Sequence, residues 1–529
     1  MNSENIETTP VLIVGGSLVG LSAAVFLSWQ GVPVVVVEKH RGSSLHPRAI
    51  GYTTRTLEHF RQTGVEIPSS LQGTKPPRRA RVESLTGTWF EEYPWTPGGK
   101  GGAYGAEESP VHATAIAQDR LEPILRERAT ALGAQLRQGT ELVGFTQDAD
   151  GVTANLRRRE DGSEYRLRAQ YLIAADGADS PVRAALGIDR HGEGLLSVQR
   201  SILFRAPLEE YLEHGVVQFE IRQPDFDAFL TTYSDGRWVL MLSDDVERDT
   251  EAQLAAVRRA IGRTDIPIEL VTTGRWELAA RIADRFSAGR VFLMGDAAHQ
   301  LPPNRGGFGA NTGIDDAHNL AWKLAAVLSG QSAPALLETY DAERRPIAEL
   351  RREQLFARAD YKAYLQTPKS DVPVLDDVSI ELGQLYRSAA VLGAGPELPA
   401  AQTPQQWAGA PGTRAPHLWI TVGDKECSTL DLFERGWVLL SEDARWADAA
   451  TSASRTLDIP VEFVRIGVDA TPVDGYGFDT AYGLTGTGAS LVRPDGYIAW
   501  RAATAPDDPA PALTDALAHV AAPAGRGIR

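Results

Sequence analysis

Residues 9–39, TPVLIVGGSLVGLSAAVFLSWQGVPVVVVEK, decide the fold of the chain. The run 10–14 is apolar and β-branched, which predicts a buried strand. A glycine-rich turn occupies 15–20, and small and apolar residues at helical spacing continue over 21–30. The run 34–37 predicts a second buried strand. Strand, glycine turn, helix and strand together predict a nucleotide-binding βαβ unit.

The turn and the acid that ends this unit suit different parts of a dinucleotide. The glycine turn lets a pyrophosphate approach backbone N–H groups at the positive end of the helix. Glu38 follows the second strand, where an acid accepts hydrogen bonds from an adenosine ribose. The second glycine of the G-x-G-x-x-G pattern is replaced by Ser17, which is small enough to keep the close approach. A nucleophile elbow, G-x-S-x-G, would need glycine in place of Val19, so the hydrolase alternative is set aside.

Length, charge and cysteine content limit the function classes. A chain of 529 residues is long enough for two or three domains. Its net charge of −16 argues against nucleic acid and anionic membranes as partners. The single cysteine, Cys427, excludes an intrachain disulfide and a cysteine-rich metal site, and we expect no metal. Because no apolar stretch approaches the roughly 18 residues that span a bilayer, we expect a soluble, cytoplasmic protein.

Two aspartates follow predicted strands further along the chain. The run 171–175 leads into Asp176-Gly177, and the run 291–294 leads into Gly295-Asp296. The Asp296 carboxylate suits a ribityl or ribose hydroxyl of a bound nucleotide, and its structural alternative is a cap at the strand end. The structural interpretation of Asp176-Gly177 is a turn followed by a helix N-cap.

Three other features suit an anionic ligand. The stretch 301–311 is rich in proline and glycine and precedes a helix predicted over 312–329, so free N–H groups at its start favour negative charge. Arg48 follows a loop next to the first unit, and it suits either a diphosphate or the solvent. Gln118 begins a predicted amphipathic helix over 118–133, where it suits either a ligand at the first turn or a capping role.

These signals stand in the order found in the flavin-dependent aromatic hydroxylases typified by para-hydroxybenzoate hydroxylase, the class A flavoprotein monooxygenases, and the chain resembles them. The most specific matches lie within 295–323: Pro302, Pro303, Asn311, Asp316, Asn319, Leu320, Trp322 and Lys323. In its size and C-terminal extension the chain is most similar to actinomycete hydroxylases of aromatic polyketides, such as the aklavinone, angucycline and tetracenomycin oxygenases. Phenol hydroxylase shares the extension.

The resemblance implies non-covalent FAD as cofactor and assigns roles to particular residues. The ADP half would be held by Gly15, Ser17, Leu18, Val19, Gly20, Glu38 and Lys39. Arg48, Gln118 and Asp296 would contact the pyrophosphate and ribityl region, and Asp176 would join FAD and NADPH handling. Gly309 and the backbone N–H groups of Ala310 and Asn311 would lie at flavin N1 and O2.

The expected fold class is α/β, with a Rossmann-like FAD-binding domain, an inserted antiparallel-sheet substrate domain and a thioredoxin-like C-terminal domain that lacks C-x-x-C. The expected divisions are 1–190 for the first part of the FAD domain (about 64–117 contributing to the substrate region), 191–278 for the inserted sheet, 279–392 for the second part with its long helices, 393–416 for a linker and 417–529 for the C-terminal domain.

The resemblance implies that NADPH reduces FAD, that O2 adds at flavin C4a, and that the hydroperoxide transfers oxygen to an electron-rich ring carbon. No catalytic side chain can be chosen from the sequence. Baeyer–Villiger insertion or ring rearrangement and phenol hydroxylation in aromatic degradation remain alternatives, as does, from another class, a non-catalytic FAD-binding protein. The partners are then an aromatic small molecule and O2; a homodimer is an open possibility.

A polycyclic aromatic polyketide is the expected substrate. The inserted sheet carries several aromatic residues, and an apolar, aromatic-walled cavity suits a flat polycyclic phenol. The candidate contacts are Phe229, Trp238, Pro303 and Arg305. For most of these aromatics, a place in the sheet's own core is the competing interpretation. A small benzoate would instead need a buried arginine, for which Arg305 is one candidate.

Overall fold

The computed structural model describes residues 6–44, 46, 49–68, 78–94, 108–213, 215–302, 307–358, 372–433, 435–473 and 477–524. None of the helices in these ranges is long and apolar enough to cross a membrane. The strands in chain order are β1 (Glu7–Val14), β2 (Val34–Glu38), β3 (Gly51–Tyr52), β4 (Arg78–Val82), β5 (Trp89–Pro94), β6 (Thr114–Ala115), β7 (Gln135–Gln138), β8 (Thr140–Gln147), β9 (Val152–Arg158), β10 (Glu164–Ala174), β11 (Arg190–Arg205), β12 (Val216–Gln223), β13 (Phe226–Thr232), β14 (Arg237–Leu242), β15 (Glu269–Ala283), β16 (Ser287–Ala288), β17 (Val291–Leu293), β18 (His299–Gln300), β19 (Trp419–Val422), β20 (Lys425–Ser428), β21 (Trp437–Ser441), β22 (Val461–Arg465), β23 (Thr471–Pro472), β24 (Ala489–Val492) and β25 (Ile498–Ala502).

Helices cover the sheets and connect them. They are α1 (Leu18–Trp29), α2 (Thr54–Gln62), α3 (Gln118–Ala131), α4 (Pro181–Ala185), α5 (Thr250–Ile261), α6 (Phe308–Leu328), α7 (Thr339–Ala357), α8 (Asp377–Leu382), α9 (Pro404–Trp407), α10 (Arg445–Leu457), α11 (Phe478–Tyr482) and α12 (Pro509–Val520). The result is a mixed α/β fold.

The first sheet has the strand order β16-β17-β10-β1-β2-β7, with β8 and β9 attached beside β10. β1 pairs in parallel with β10 and β2, and β17 and β7 continue the parallel set. Both faces of the inner strands are buried, which explains their unbroken apolar runs. The carboxyl ends of β1, β2, β10 and β17 therefore lie at one edge, where an open α/β sheet binds its ligand.

Two glycines bring α1 and α6 into close contact beside this edge. A Cβ on Gly295 would lie 3.0 Å from a Val19 methyl, and one on Gly313 would lie 2.6 Å from it. A Cβ on Gly313 would also lie 2.8 Å from the Gly295 Cα. The Val19 side chain thus fills the space between the strand-end turn and α6. This packing sets the N-termini of both helices at the same edge of the sheet.

The second sheet has the strand order β18-β15-β11-β14-β13-β12-β4-β5. Its pairs are antiparallel except for the parallel pair of β12 and β4. One face packs under α5 in a buried cluster that contains Phe219, Trp238 and Leu240. The other face carries Val239 and Met241, which cluster with Ile50 and with Ala117, the N-cap of α3, and it is thus turned toward the domain of the first sheet.

The C-terminal part contains a four-stranded sheet, β22-β21-β24-β25, and a smaller sheet, β20-β19-β23. A buried charge network, which we call the Glu343 network, attaches it to α6 and α7. Glu343 accepts hydrogen bonds from Lys323 Nζ at 2.7 Å and from Arg493 at 2.6 Å. Arg493 also donates to Asp495, which accepts from the Trp322 indole at 3.0 Å. Each of these side chains is almost fully buried.

The segment expected as a linker, 393–416, is packed against the rest of the chain. α9 lies within it, and the Trp407 indole donates to the Gly383 carbonyl at 2.7 Å. Arg414 is 3 % exposed and binds Glu58 on α2. The proline and alanine content of this segment therefore accompanies buried contacts.

α6 begins at Phe308, four residues before the start predicted from the sequence. Gly307, in the left-handed region at φ +61°, is its N-cap and allows the early start. Gly309, Ala310 and Asn311 consequently lie inside the first turn of the helix rather than in a preceding loop.

Candidate cofactor site

The glycine turn after β1 is too tight for side chains at two positions. A Cβ on Gly15, at φ +104°, would lie 2.2 Å from the Ala175 carbonyl oxygen. A Cβ on Gly20 would lie 1.9 Å from the Gly15 carbonyl oxygen. Leu18 is buried in the core and Val19 packs against α6, so both can offer a ligand only their backbone. The start of α1 is therefore a backbone cradle for an anion.

Glu38 is held rigidly beside this cradle. Its carboxylate accepts the Gly16 N–H at 2.7 Å and the His40 N–H at 2.8 Å. A carboxylate has about four lone-pair positions, so both oxygens keep capacity for ribose hydroxyls. Lys39, the next residue, is exposed at the surface.

A polar cluster covers the turn from the side of α3. The Ser17 hydroxyl donates to Glu122 at 2.6 Å, and Gln118 Nε2 donates to Ser17 Oγ at 3.0 Å and to Glu122 at 2.8 Å. The hydroxyl proton of Ser17 is thus directed to Glu122, and what Ser17 offers a phosphate is its backbone N–H. The structure brings Gln118 to the predicted position at the turn. Glu122 was not singled out from the sequence, where an acid within a helix resembles any surface residue.

Asp176 lies at the carboxyl edge directly after β10. One carboxylate oxygen accepts the Val182 N–H at 3.2 Å at the start of α4. The other oxygen is buried and has no hydrogen-bond partner among the described residues. Burial raises the pKa of Asp176, against the opposing effect of Ser180 and the Val182 amide. A buried acceptor of this kind is satisfied by a ligand hydroxyl or by water.

Asp296 lies beside the start of α6. Its Oδ1 is 4.0 Å from the position of a Cβ on Gly309. The side chain is half-buried and has no hydrogen bond or ion pair with another described residue. Helix geometry leaves the N–H groups of Phe308, Gly309 and Ala310 without acceptors within the helix. The Asn311 N–H faces the Gly307 carbonyl at a long 3.4 Å.

A buried carboxylate on α6, that of Asp316, fixes the turn that carries Asp296. Asp316 accepts the Gly295 N–H at 3.2 Å, His299 Nε2 lies 2.7 Å from the same oxygen, and Arg344 Nε donates to the other at 2.8 Å. Burial acts to raise the pKa of Asp316, but His299 and Arg344 outweigh it and hold the pKa below its ordinary value. Asp316 therefore stays ionised and fixes the turn that carries Asp296.

The side chain of Asn311, on α6, is fully buried and connects α6 by hydrogen bonds to α2 and β3. Its oxygen accepts the N–H of Thr53, the N-cap of α2, at 3.0 Å and the hydroxyl of Thr56, in the first turn of α2, at 2.6 Å. Its nitrogen donates to the carbonyls of Gly51, on β3, at 3.1 Å and Gly307 at 2.9 Å. All four hydrogen-bonding positions of the amide are satisfied, so a ligand can meet only the backbone at this residue.

The candidate substrate residues do not share one location. Phe229 is opposite Met241 and lies half-buried on the face that is turned toward the first sheet. Trp238 lies on the opposite face, 1 % exposed in the cluster under α5, so the prediction that it contacts substrate is wrong. Alternation along β14 places its side chain on the face opposite to that of Val239 and Met241. Arg48, Pro303 and Arg305 lie outside the described residues.

These features fit a long dinucleotide. The α1 cradle matches a diphosphate, Glu38 a ribose, and the buried, unpartnered oxygen of Asp176 a hydroxyl. The first turn of α6 provides further N–H groups at its positive end, where negative charge is stabilised. No group of three or more His, Cys, Asp or Glu side chains in the described part of the chain is arranged to hold a metal ion.

Comparison with known proteins identifies the family. Residues 8–354 match the family described as FAD binding domain, and residues 408–524 match the family described as aromatic-ring hydroxylase, C-terminal. The chain is 42% identical to a 4-methyl-5-nitrocatechol 5-monooxygenase from a Burkholderia species, over 97% of each chain. It is 39% identical to the tetracenomycin A2 monooxygenase-dioxygenase of Streptomyces glaucescens, over 98% of this chain and 97% of the relative.

A solved structure shows the same fold. The chain superposes on aklavinone-11 hydroxylase, in a ternary complex with FAD and aklavinone, with a TM-score of 0.86 and 36% identity over 98% of this chain and 100% of the other. The family match covers more than half of the chain, and the relatives match along almost its whole length. The chain belongs to the FAD-dependent aromatic-ring hydroxylases and is a flavoprotein monooxygenase.

Proposed function

We propose that this monooxygenase hydroxylates a polycyclic aromatic substrate of the polyketide type, with NADPH as electron donor and O2 as oxidant. The observation that carries the proposal is the packing of the starts of α1 and α6 against each other at one sheet edge, where Phe308 of α6 also packs with Ala280 of the second sheet. A flavin dinucleotide in this arrangement would have its diphosphate at α1 and its aromatic ring system at α6, next to an apolar surface of the second sheet. Relatives named as polyketide hydroxylases match almost the whole chain.

FAD, when bound, supplies oxidation of the nicotinamide, activation of O2 and transfer of one oxygen atom to the ring. The chain's own residues bind the cofactor and position it. The α1 cradle and Glu38 hold the ADP half, and Asp176 and Asp296 accept sugar or ribityl hydroxyls. The N–H groups of Gly309 and Ala310, at the positive end of α6, would hold the ring system and favour negative charge on it. The apolar residues of the second sheet exclude water from the reacting atoms.

Asp296→Ala is expected to weaken FAD retention. The half-buried carboxylate at the start of α6 makes no contact that the fold needs, so its removal takes away hydrogen bonds to the cofactor without opening the core. Loss of one charge-assisted hydrogen bond of about 1.5–3 kcal/mol weakens binding by about tenfold or more. The ratio of flavin absorbance to protein absorbance after gel filtration measures this. A variant with full flavin occupancy would show that Asp296 lies outside the cofactor site.

The size of the substrate is tested by comparing polycyclic with one-ring compounds. Leu203, Val239 and Met241 lie with Phe229 on the face toward the first sheet and extend its apolar surface. We expect tri- and tetracyclic phenols to stimulate NADPH oxidation far more than simple phenols or benzoates do under identical conditions. Product mass and NMR then distinguish hydroxylation from insertion of oxygen into a ring.

A one-ring phenol is the second candidate, because one relative at 42% identity is named for a nitrocatechol. Coupled hydroxylation of a substituted catechol, with no response to polycyclic compounds, would assign the protein to aromatic degradation instead. Oxidation of NADPH that yields only H2O2 with both sets would contradict both candidates.

We also propose that the C-terminal part, 417–529, is a thioredoxin-like domain with a structural role, and that the other divisions are those expected from the sequence, except that β15 carries the inserted sheet on to Ala283 and that 393–416 is a packed segment. The parallel pair β21–β22, the antiparallel pairs of β24 and β25, and the packing of α10 and α12 support this fold. Cys427 lies on β20, outside the four-stranded sheet, and is half-buried. A single cysteine also suits a reducing, cytoplasmic location.

Cys427→Ser is expected to leave NADPH-dependent oxygenation nearly unchanged. Burial raises the pKa of the thiol, which makes it a poor nucleophile, and the chain has no second cysteine. Steady-state turnover with FAD bound is the measurement. Collapse of turnover in a protein that keeps its flavin would require a chemical role for the thiol.

A further inference from the structure

Glu58, on α2, is a buried junction between the segment 393–416, which leads into the C-terminal part, and the two edges of the cofactor site. Its carboxylate accepts hydrogen bonds from Arg414 Nε at 2.9 Å, from Arg55 at 2.8 Å and from the Ser109 hydroxyl at 2.7 Å. Glu58 is 6 % exposed and Arg414 is 3 % exposed. A charge pair this deeply buried is geometrically restrictive, because separation of the partners would leave Glu58 with Arg55 alone and Arg414 without a carboxylate.

One path from this junction leads through α2 to the start of α6. Thr53, the N-cap of α2, and Thr56, in its first turn, hold the Asn311 oxygen at 3.0 and 2.6 Å. Asn311 in turn holds the Gly307 carbonyl, which precedes the free N–H groups of α6. A shift of α2 therefore moves the turn on which the flavin N1 and O2 contacts are predicted.

A second path leads through Ser109 to the glycine turn. The chain continues from Ser109 into β6, which pairs with β3. Beyond β6 the Ile116 N–H donates to the Ile50 carbonyl at 2.8 Å, and the Gln118 N–H donates to the Ala49 carbonyl at 3.0 Å. The Gln118 side chain then contacts Ser17 at the α1 cradle.

We propose that the Glu58–Arg414 pair is a positioning contact through which the segment 393–416, which leads into the C-terminal part, sets the geometry of the FAD site at both edges. The inference rests on the proposed function of that site. The pair is not needed to retain the C-terminal part, because the Glu343 network attaches that part separately to α6 and α7. Its removal therefore leaves the domains joined and loosens the cofactor edges.

Glu58→Gln tests the pair, and Arg61→Gln is its matched control. Arg61 is on the same helix and also binds the C-terminal part, through Asp431, but its side chain is 40% exposed. In Glu58→Gln we expect the FAD dissociation constant and the share of NADPH electrons released as H2O2 to rise severalfold. We expect the flavin midpoint potential to become more negative, since a displaced α6 start stabilises the reduced ring less. Arg61→Gln should match the parent in all three.

Thr56→Val tests the first path without touching the charges. It removes one hydrogen bond to Asn311, so we expect the same changes at smaller size, and Thr56→Ser should restore the parent values. If Glu58→Gln fails to fold, the comparison of Thr56→Val with Thr56→Ser tests the positioning role in its place. Parent values of FAD affinity and potential in Glu58→Gln and Thr56→Val, even with a lowered melting temperature, would overturn the positioning role. A parent protein that binds no FAD would instead overturn the proposed function itself.

Discussion

Gly20→Ala is expected to abolish FAD binding and to destabilise the protein. The new Cβ would lie 1.9 Å from the Gly15 carbonyl oxygen, a backbone atom that cannot move without moving the turn after β1. Overpacking of this kind costs about 1–3 kcal/mol or more. The helix start must withdraw from β1, and its N–H groups then no longer converge on the diphosphate. Flavin content after purification and the denaturant midpoint of the apoprotein measure the two effects.

Gly31→Ala is the matched control at the other end of α1. Gly31 has φ +79°, but a Cβ there would meet no atom within 4 Å. The expected effect is a loss of about 1–2 kcal/mol in stability from the left-handed backbone conformation alone, with FAD content unchanged. Equal flavin loss in both variants would show that helix stability, rather than the close approach at the turn, controls FAD binding.

Glu343→Gln is expected to cause the largest loss of stability among single changes of charge. The carboxylate is fully buried between Lys323 and Arg493, and its removal leaves two buried cations against Asp495 alone. Breaking a buried ion pair by removal of one partner costs about 3–5 kcal/mol. Because the network joins α7 to the C-terminal part, we expect faster proteolysis in 393–416 as well as a lower denaturant midpoint.

The pH dependence of the parent protein provides a second measurement of the same network. Burial acts to raise the pKa of Glu343, but Arg493 and Lys323 outweigh it and hold the pKa well below its ordinary value. The unfolded chain therefore binds the proton more readily than the folded chain does. The stabilisation is present above about pH 4.3, the ordinary pKa of glutamate, and is lost as the pH falls below it. Glu343→Gln should remove this share of the acid sensitivity.

Glu349→Gln, on the same helix, is the control for the change of charge. Glu349 pairs with Arg352 at 3.1 Å, and its side chain is 24% exposed. A partly exposed pair contributes about 0–1 kcal/mol. A stability loss in Glu343→Gln no larger than in Glu349→Gln would contradict the importance of the buried network.

Local signals were sufficient to predict the first βαβ unit. Strand, turn and helix in 9–39 depend on hydrophobic periodicity and on glycine, which act over a few residues. The carboxyl ends of parallel strands share an edge in any such sheet, so Glu38, Asp176 and Asp296 could be expected to converge from their places after predicted strands. Family resemblance added FAD and the aromatic hydroxylase chemistry, and the family matches bear these out.

The motif in 295–323 shows that residue spacing predicts which side chains share a helix face but not which residues they contact. Asp316, Asn319 and Lys323 recur at helical spacing and so share a face of α6. What they contact is set by distant segments: Asp316 meets Arg344 and the Gly295 turn, whereas Lys323 and Asn319 meet Glu343. The sequence identified these residues as diagnostic. Only the packing of α7 and of residues 493–495 against α6 revealed that they hold the site and the domains in place.

The second sheet shows the same limit. Alternation divides Phe229 and Trp238 into two faces as soon as the strand register is known, but it does not say which face α5 covers. The sequence by itself determined the class of cofactor fold and the strand ends that carry the ligand residues, because these depend on short-range periodicity and turn chemistry. The tertiary structure alone decided that Trp238 lies in the core of the second sheet, that Asn311 connects α6 to α2, and that Glu58 binds Arg414. Each of these depends on contacts between segments far apart in the chain.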